Sequence, residues 1–167
     1  MRIRIPNRSA GFTLLEALVA AAISAMFLSS LFAMNLSSME TIRSAKESTA
    51  ASQALQQRLE SMRIANWHQV TNAVWLRDNL LHTEVPGGEL LKGLVETVTL
   101  VPYGSSNVGN TQLTRVNGQA SIVNQNSTLL TENAVKVIWT VNYTGAPNDH
   151  ASTRQIVAIL AKGGVAK

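Results

Sequence analysis

The sequence predicts an α+β protein in which one long N-terminal helix packs its second half on a small antiparallel β-sheet. Three observations carry this. From Phe12 to Met34 the chain is apolar, with a single ionised side chain, Glu16. From Phe12 to Val85 it contains neither glycine nor proline. Beyond about Trp67 the pattern changes to short alternating runs punctuated by Gly, Pro and Asn, the texture of strands and turns.

The first ten residues, MRIRIPNRSA, are short and basic and contain Pro6, so they are not expected to form a stable helix. Arg2, Arg4 and Arg8 resemble the charged start of a secretory signal, yet no small-residue cleavage site follows the apolar run. The small residues Ser9, Ala10 and Gly11 precede it instead. These arginines supply three of the net +4 charges, and without them the balance falls to +1. A basic pI therefore gives little reason to expect a nucleic-acid partner. The 167 residues include no cysteine, which excludes disulfides and thiolate metal sites.

The uncharged run from Ala17 to Met34, extended by Phe12 to Leu15, reaches the roughly 20 residues that span a bilayer. The basic leader on one side outweighs Arg43 and Lys46, with Glu40 and Glu47, on the other. The positive-inside rule then places the N-terminus in the cytoplasm and the remainder outside, a single pass of the inner membrane. From Met39 to Trp67, helix-tolerant residues dominate, and Leu55, Leu59 and Met62 repeat at helical spacing. One continuous helix from about Thr13 to about Ile64 is expected, on the order of 75 Å long. The expected organisation is a leader (1–11), a membrane or assembly helix (12–35), an amphipathic continuation (36–66) and a soluble sheet domain (67–167).

Within the last region, 66–77 reads as a loop or a short strand with a turn, and Pro86-Gly87-Gly88 as a turn. Gly93–Tyr103 reads as a strand and Gly104–Asn110 as a loop. Gln112–Val116 and Gln119–Val123 flank Asn117-Gly118, a strong hairpin signal. Ala134–Tyr143 alternates cleanly, with Val135, Val137, Trp139, Val141 and Tyr143 on one side. It turns through 144–150 into a last strand at Thr153–Leu160. A sheet of about four strands is expected, its apolar face covered by the stripe of Leu55, Leu59 and Met62.

Glu16 is the residue that asks for chemistry. An acidic group inside an apolar span is costly, about 2.5–3.5 kcal/mol for Asp at the centre of a membrane helix and less near an end. Phe12, Leu14 and Leu15 on its N-terminal side place it inside the run, so it needs a cationic partner. Gly11-Phe12-Thr13-Leu14-Leu15-Glu16, after a basic leader and before some twenty apolar residues, resembles the class III signal of type IV pilins and type II secretion pseudopilins. SQALQQRLESMRIANW (52–67) is similar to V-type minor pilins and I-type minor pseudopilins.

The resemblance implies cleavage between Gly11 and Phe12 by a membrane-embedded prepilin peptidase, which also N-methylates Phe12. Thr13, Leu14 and Leu15 would belong to the surface that the peptidase recognises. Glu16 would pair with the terminal amine of a neighbouring subunit during assembly. Other pilin or pseudopilin subunits, an inner-membrane assembly platform and membrane lipid would be the partners, with no cofactor. No mid-helix proline, disulfide loop or calcium cluster occurs; Asn148-Asp149 offers one carboxylate. These absences favour a minor subunit over a major pilin.

His68, His82 and His150 are scattered without metal spacing, and no phosphate loop, dinucleotide fingerprint or nucleophile motif is present. No catalytic or metal-binding residue is expected. Arg58, Arg63 and Arg77 read as a solvated face, and the three tryptophans as core. The expected function is that of a structural subunit of a type IV pilus or type II secretion pseudopilus. A DNA-uptake or adhesive subunit, with Lys136 and Arg154 contacting the ligand, is the alternative; a membrane-anchored enzyme is a third.

Overall fold

A computed structural model describes residues 13–85, 87–106, 109–146 and 149–163. The chain divides between Glu40 and Thr41 into two units. Helix α1 (Leu14–Ile64) is one uninterrupted helix of 51 residues, close to the expected limits. Within the first unit, every described residue is exposed.

In the second unit α1 buries Glu47, Ala50, Ala51, Ala54, Leu55, Arg58, Leu59 and Met62. These positions recur every three or four residues and form one stripe. The three alanines bring the helix close to what it covers. Gly87 shows how close: a Cβ there would lie 3.3 Å from Ala50 Cβ, and its φ of +76° is open only to residues that tolerate the left-handed region.

The segment that follows differs from expectation. Most of 67–81 is helical, where a loop or a short strand with a turn was expected over 66–77: α2 (Trp67–Val70), then α3 (Ala73–Trp75), which runs into a π-helical stretch at Leu76–Leu81. Asn66 and Asn72 in this segment are helix caps. Asn66 accepts from Gln69 N–H at 3.0 Å while Gln69 Oε1 accepts from Asn66 N–H, a reciprocal capping box. Asn72 accepts from Val74 and Trp75 N–H at 2.9 and 3.1 Å. Leu76, Leu80 and Leu81 are buried.

The sheet has five strands where about four were expected, all antiparallel, in the order β3-β2-β1-β4-β5. They are β1 (Lys92–Pro102), β2 (Thr111–Val116), β3 (Gln119–Asn124), β4 (Ala134–Gly145) and β5 (His150–Ala161). Val116 pairs with Gln119 across Asn117-Gly118, both at positive φ, as the sequence signal required. Val135, Val137, Trp139, Val141 and Tyr143 all face the core, with Val98, Leu100 and Leu113 beside them. Leu55 and Met62 belong to that same cluster, so the expected helix-on-sheet layering holds.

Candidate functional site

Gly11 and Phe12 lie outside the described residues. Thr13, Leu14, Leu15 and Glu16 open α1 and are exposed. Thr13 and Glu16 form a second capping box. Glu16 N–H donates to Thr13 Oγ1 at 3.3 Å, and Thr13 N–H donates to Glu16 Oε2 at 3.4 Å. The Thr13 hydroxyl also donates to Oε2 at 3.4 Å. Two backbone donors that no helical carbonyl can reach are thereby satisfied. The Thr-x-x-Glu spacing was visible in the sequence, but the carboxylate was read only as a group awaiting a cation.

From Ala17 to Met34 the helix is uncharged and apolar on every side, and no described residue covers it: Met26 is 74% exposed and Phe32 68%. Burying one such side chain contributes about 1.5–3 kcal/mol, so this surface is made for a non-aqueous surrounding, either lipid or other helices. Two of its serines are matched within the helix. Ser24 and Ser29 hydroxyls donate to the carbonyls of Ala20 and Ala25, each at 2.8 Å. In hydrocarbon such groups need an internal partner. Ala20, Ala21, Ala22 and Ala25 leave small positions where a second helix backbone can approach. By length and composition this is the one described helix able to cross a membrane.

The second unit holds the rest of α1 through polar contacts that the sequence reading missed. Arg58 was taken as part of a solvated basic strip; it is 5% exposed and central. Its Nε and Nη2 donate to the two oxygens of Glu96 at 3.1 and 3.2 Å. Nη2 also donates to Thr83 O at 2.8 Å, and Nη1 to Thr83 Oγ1 at 2.7 Å and to Leu80 O. All five guanidinium donors are therefore used. Arg115 Nη1 donates to Glu96 Oε1 at 3.0 Å, and the Arg58 guanidinium lies 6.0 Å from the Trp139 ring centroid. Arg115 Nε and Trp139 Nε1 are buried without a protein partner. Glu96 is in phase with the inward Val98 and Leu100 on β1, a spacing that could have marked it in the sequence; Arg58 sits three residues after Leu55 and four before Met62.

Glu47 performs a similar task at the other end of the stripe. It is 4% exposed, accepts from Arg43 Nε at 2.9 Å and from Ala146 N–H at 2.8 Å, and so ties α1 to the β4–β5 turn. Arg154 donates to Ser48 Oγ at 2.6 Å alongside it. Lys136 lies opposite Ile159, on the other face of the sheet from Arg154, which lies opposite Val141. The two residues do not make a joint basic patch.

Among the described residues the core holds one such cluster, two guanidiniums around one carboxylate, in which every Arg58 donor is bonded and Arg115 Nε is not. His68, His82 and His150 are exposed and apart, and among the described residues no group of three His, Cys, Asp or Glu could hold a metal ion. Trp139 is buried as expected, whereas Trp67 and Trp75 are half-buried at the margin of the core, with Trp67 Nε1 donating to Leu130 O at 3.0 Å.

Comparison with known families gives one match: residues 6–32 fit the prokaryotic N-terminal methylation motif. The match covers Gly11 to Glu16 and most of the exposed apolar run. No curated protein and no solved structure matches the chain. The N-terminal methylation motif is present, and the long apolar helix with a small antiparallel sheet matches a pilin-like architecture.

Proposed function

We propose that this chain is a minor pilin or pseudopilin, a structural subunit that enters a filament through α1. The observation that carries the reading is a coincidence of position. The methylation motif spans 6–32, and the helix exposed on every side begins at Leu14, directly after Gly11-Phe12-Thr13. Before assembly, residues 12–35 hold the precursor in the inner membrane, N-terminus in the cytoplasm and sheet domain outside. The peptidase reads Thr13, Leu14 and Leu15, cuts after Gly11 and methylates Phe12. Glycine at the cleavage position removes the side chain that would keep a protease from the backbone.

Cleavage creates an ammonium on Phe12. In a neighbouring copy or a related subunit, that cation is the partner the Glu16 carboxylate requires in an apolar bundle, where one unpaired member of a buried ion pair costs about 3–5 kcal/mol. The pair then fixes the axial register of one helix on the next. A core carboxylate held between two guanidiniums and histidines scattered over the surface support a mechanical role over a catalytic one.

Mass spectrometry of the chain purified from cells with its peptidase tests the reading. A mature N-terminus at methylated Phe12 is expected, and Glu16→Leu is expected to leave processing intact while blocking entry into filaments. An intact Met1, or a cut after Ser38, would overturn it.

A further inference from the structure

The two edges of the sheet are built differently. β3 is six residues long and its pairing with β2 shifts register between Gln112 and Leu113, an irregularity that blunts an edge. β5 is 12 residues long and pairs with β4 in unbroken register from Ala134–Ala161 to Gly145–His150. It has no proline, and from Gln155 to Ala161 no charge. Lys162 N–H donates to Asn133 O at 2.7 Å, which fixes the phase of the ladder. Even-numbered residues of β5 bond β4, so the N–H and C=O groups of Thr153, Gln155, Val157, Ile159 and Ala161 point away from the sheet. Val157 and Ile159 are 50% and 52% exposed. On the helix side of the same strand, a groove of about 640 Å³ opens between Met62, Trp67 and Leu160.

We propose that the free edge of β5 is a docking edge for an extended segment of another protein, apolar with carboxylates at intervals, which joins the sheet as a sixth strand. A row of outward main-chain donors and acceptors is matched only by another main chain in extended form. Alternate side chains of that strand fall into the Met62–Trp67–Leu160 groove and beside Val157 and Ile159. Charge selects the occupant. β5 carries Arg154 and is followed by Lys162, and it has no carboxylate. Acids elsewhere in the unit are already engaged, Asp149 with Lys92, Glu47 with Arg43, Glu60 with Arg63, and Glu132, next to the Asn133 that Lys162 meets, with Ser105. A second copy of β5 carries the same cations and no carboxylate, so it offers them no counter-charge, whereas an acidic strand meets complementary charge.

The test uses the full-length chain in detergent micelles and a synthetic peptide of about nine residues alternating valine with glutamate. Hydrogen exchange over 151–161 is expected to slow about tenfold or more on adding the peptide, with 119–124 unchanged. A lysine-for-glutamate peptide is expected to bind at least about tenfold more weakly. Val157→Pro removes an outward N–H that β4 does not use, so it abolishes the slowing. Ile159→Glu, at a half-exposed position that keeps the fold, repels the same peptide. No slowing with the acidic peptide, equal slowing with both peptides, or equal slowing at β3 overturns the proposal. Slowing without peptide that grows with protein concentration assigns the edge to a second copy and overturns it as well.

Discussion

Residues 14–40 and 41–64 belong to one helix and obey different rules. Both stretches lack glycine and proline and are rich in residues that favour helix. The first buries none of its residues; the second buries eight along one stripe. The difference lies in spacing. Apolar residues surround the axis in the first stretch, so no single face can be satisfied by a sheet. In the second they recur at three- and four-residue steps, and Glu47 and Arg58 take two places in that series. Helix formation is thus common to both, and what each stretch can touch is set by the arrangement of its side chains.

The comparison breaks most visibly if the buried ion cluster is opened. Glu96→Gln leaves two guanidiniums in the core without a carboxylate and is expected to cost about 3–5 kcal/mol. Denaturant titration followed by tryptophan fluorescence measures it, and an unchanged midpoint would show that the cluster is not what holds the second stretch. Next comes a matched pair. Leu55→Ala is expected to cost about 2–5 kcal/mol in the same titration, because it empties a packed position. Leu28→Ala, on the exposed stretch, is expected to leave the midpoint where it was. Equal losses would erase the distinction between the two stretches.

Thr13→Ala sharpens the comparison at the helix start. It removes the hydroxyl that caps Glu16 N–H and is expected to destabilise the first turn by about 0.5–2 kcal/mol, seen as faster amide exchange at 14–17 with no shift in the denaturation midpoint. The smallest effect is at Asp78. Hydrogen bonds from Arg77 hold its carboxyl below the ordinary value, helped by the charges of Arg77 and His82 and opposed by slight desolvation. A carboxyl depressed in the folded state adds stability above its unfolded pKa and loses it as pH falls through the folded one. Arg77→Gln is expected to return the Asp78 titration, followed by carboxyl NMR, toward the ordinary value, with little change in stability because the pair is exposed.

Much of the layout was legible in the residues. The limits of α1, the Asn117-Gly118 hairpin and the inward phase of β4 follow from local rules of period and turn geometry. The segment 66–81 was not, because asparagine serves turns and helix caps equally, and the choice depended on Gln69 reaching back to Asn66. Arg58 escaped for a related reason. An arginine in a stripe is usually the stripe's edge, and only the arrival of Glu96 from 38 residues away turns it inward. Glu16 drew attention as the one acid in the apolar run, yet its bond to Thr13 was overlooked because that context pointed to a distant partner.

The way Arg58 holds the chain between α1 and β1 has a consequence for how this surface can change over evolutionary time. Two of its acceptors there, Leu80 O and Thr83 O, are main-chain carbonyls, which every residue type supplies. The connecting segment is gripped by its backbone more than by its identity. Arg77, Asp78, Asn79, His82 and Glu84 can therefore be exchanged at little cost to the clasp, so long as Leu76, Leu80 and Leu81 keep their places inside. Such a segment is a variable panel mounted on an invariant fastening, free to diversify its outward chemistry while the helix and sheet behind it stay as they are.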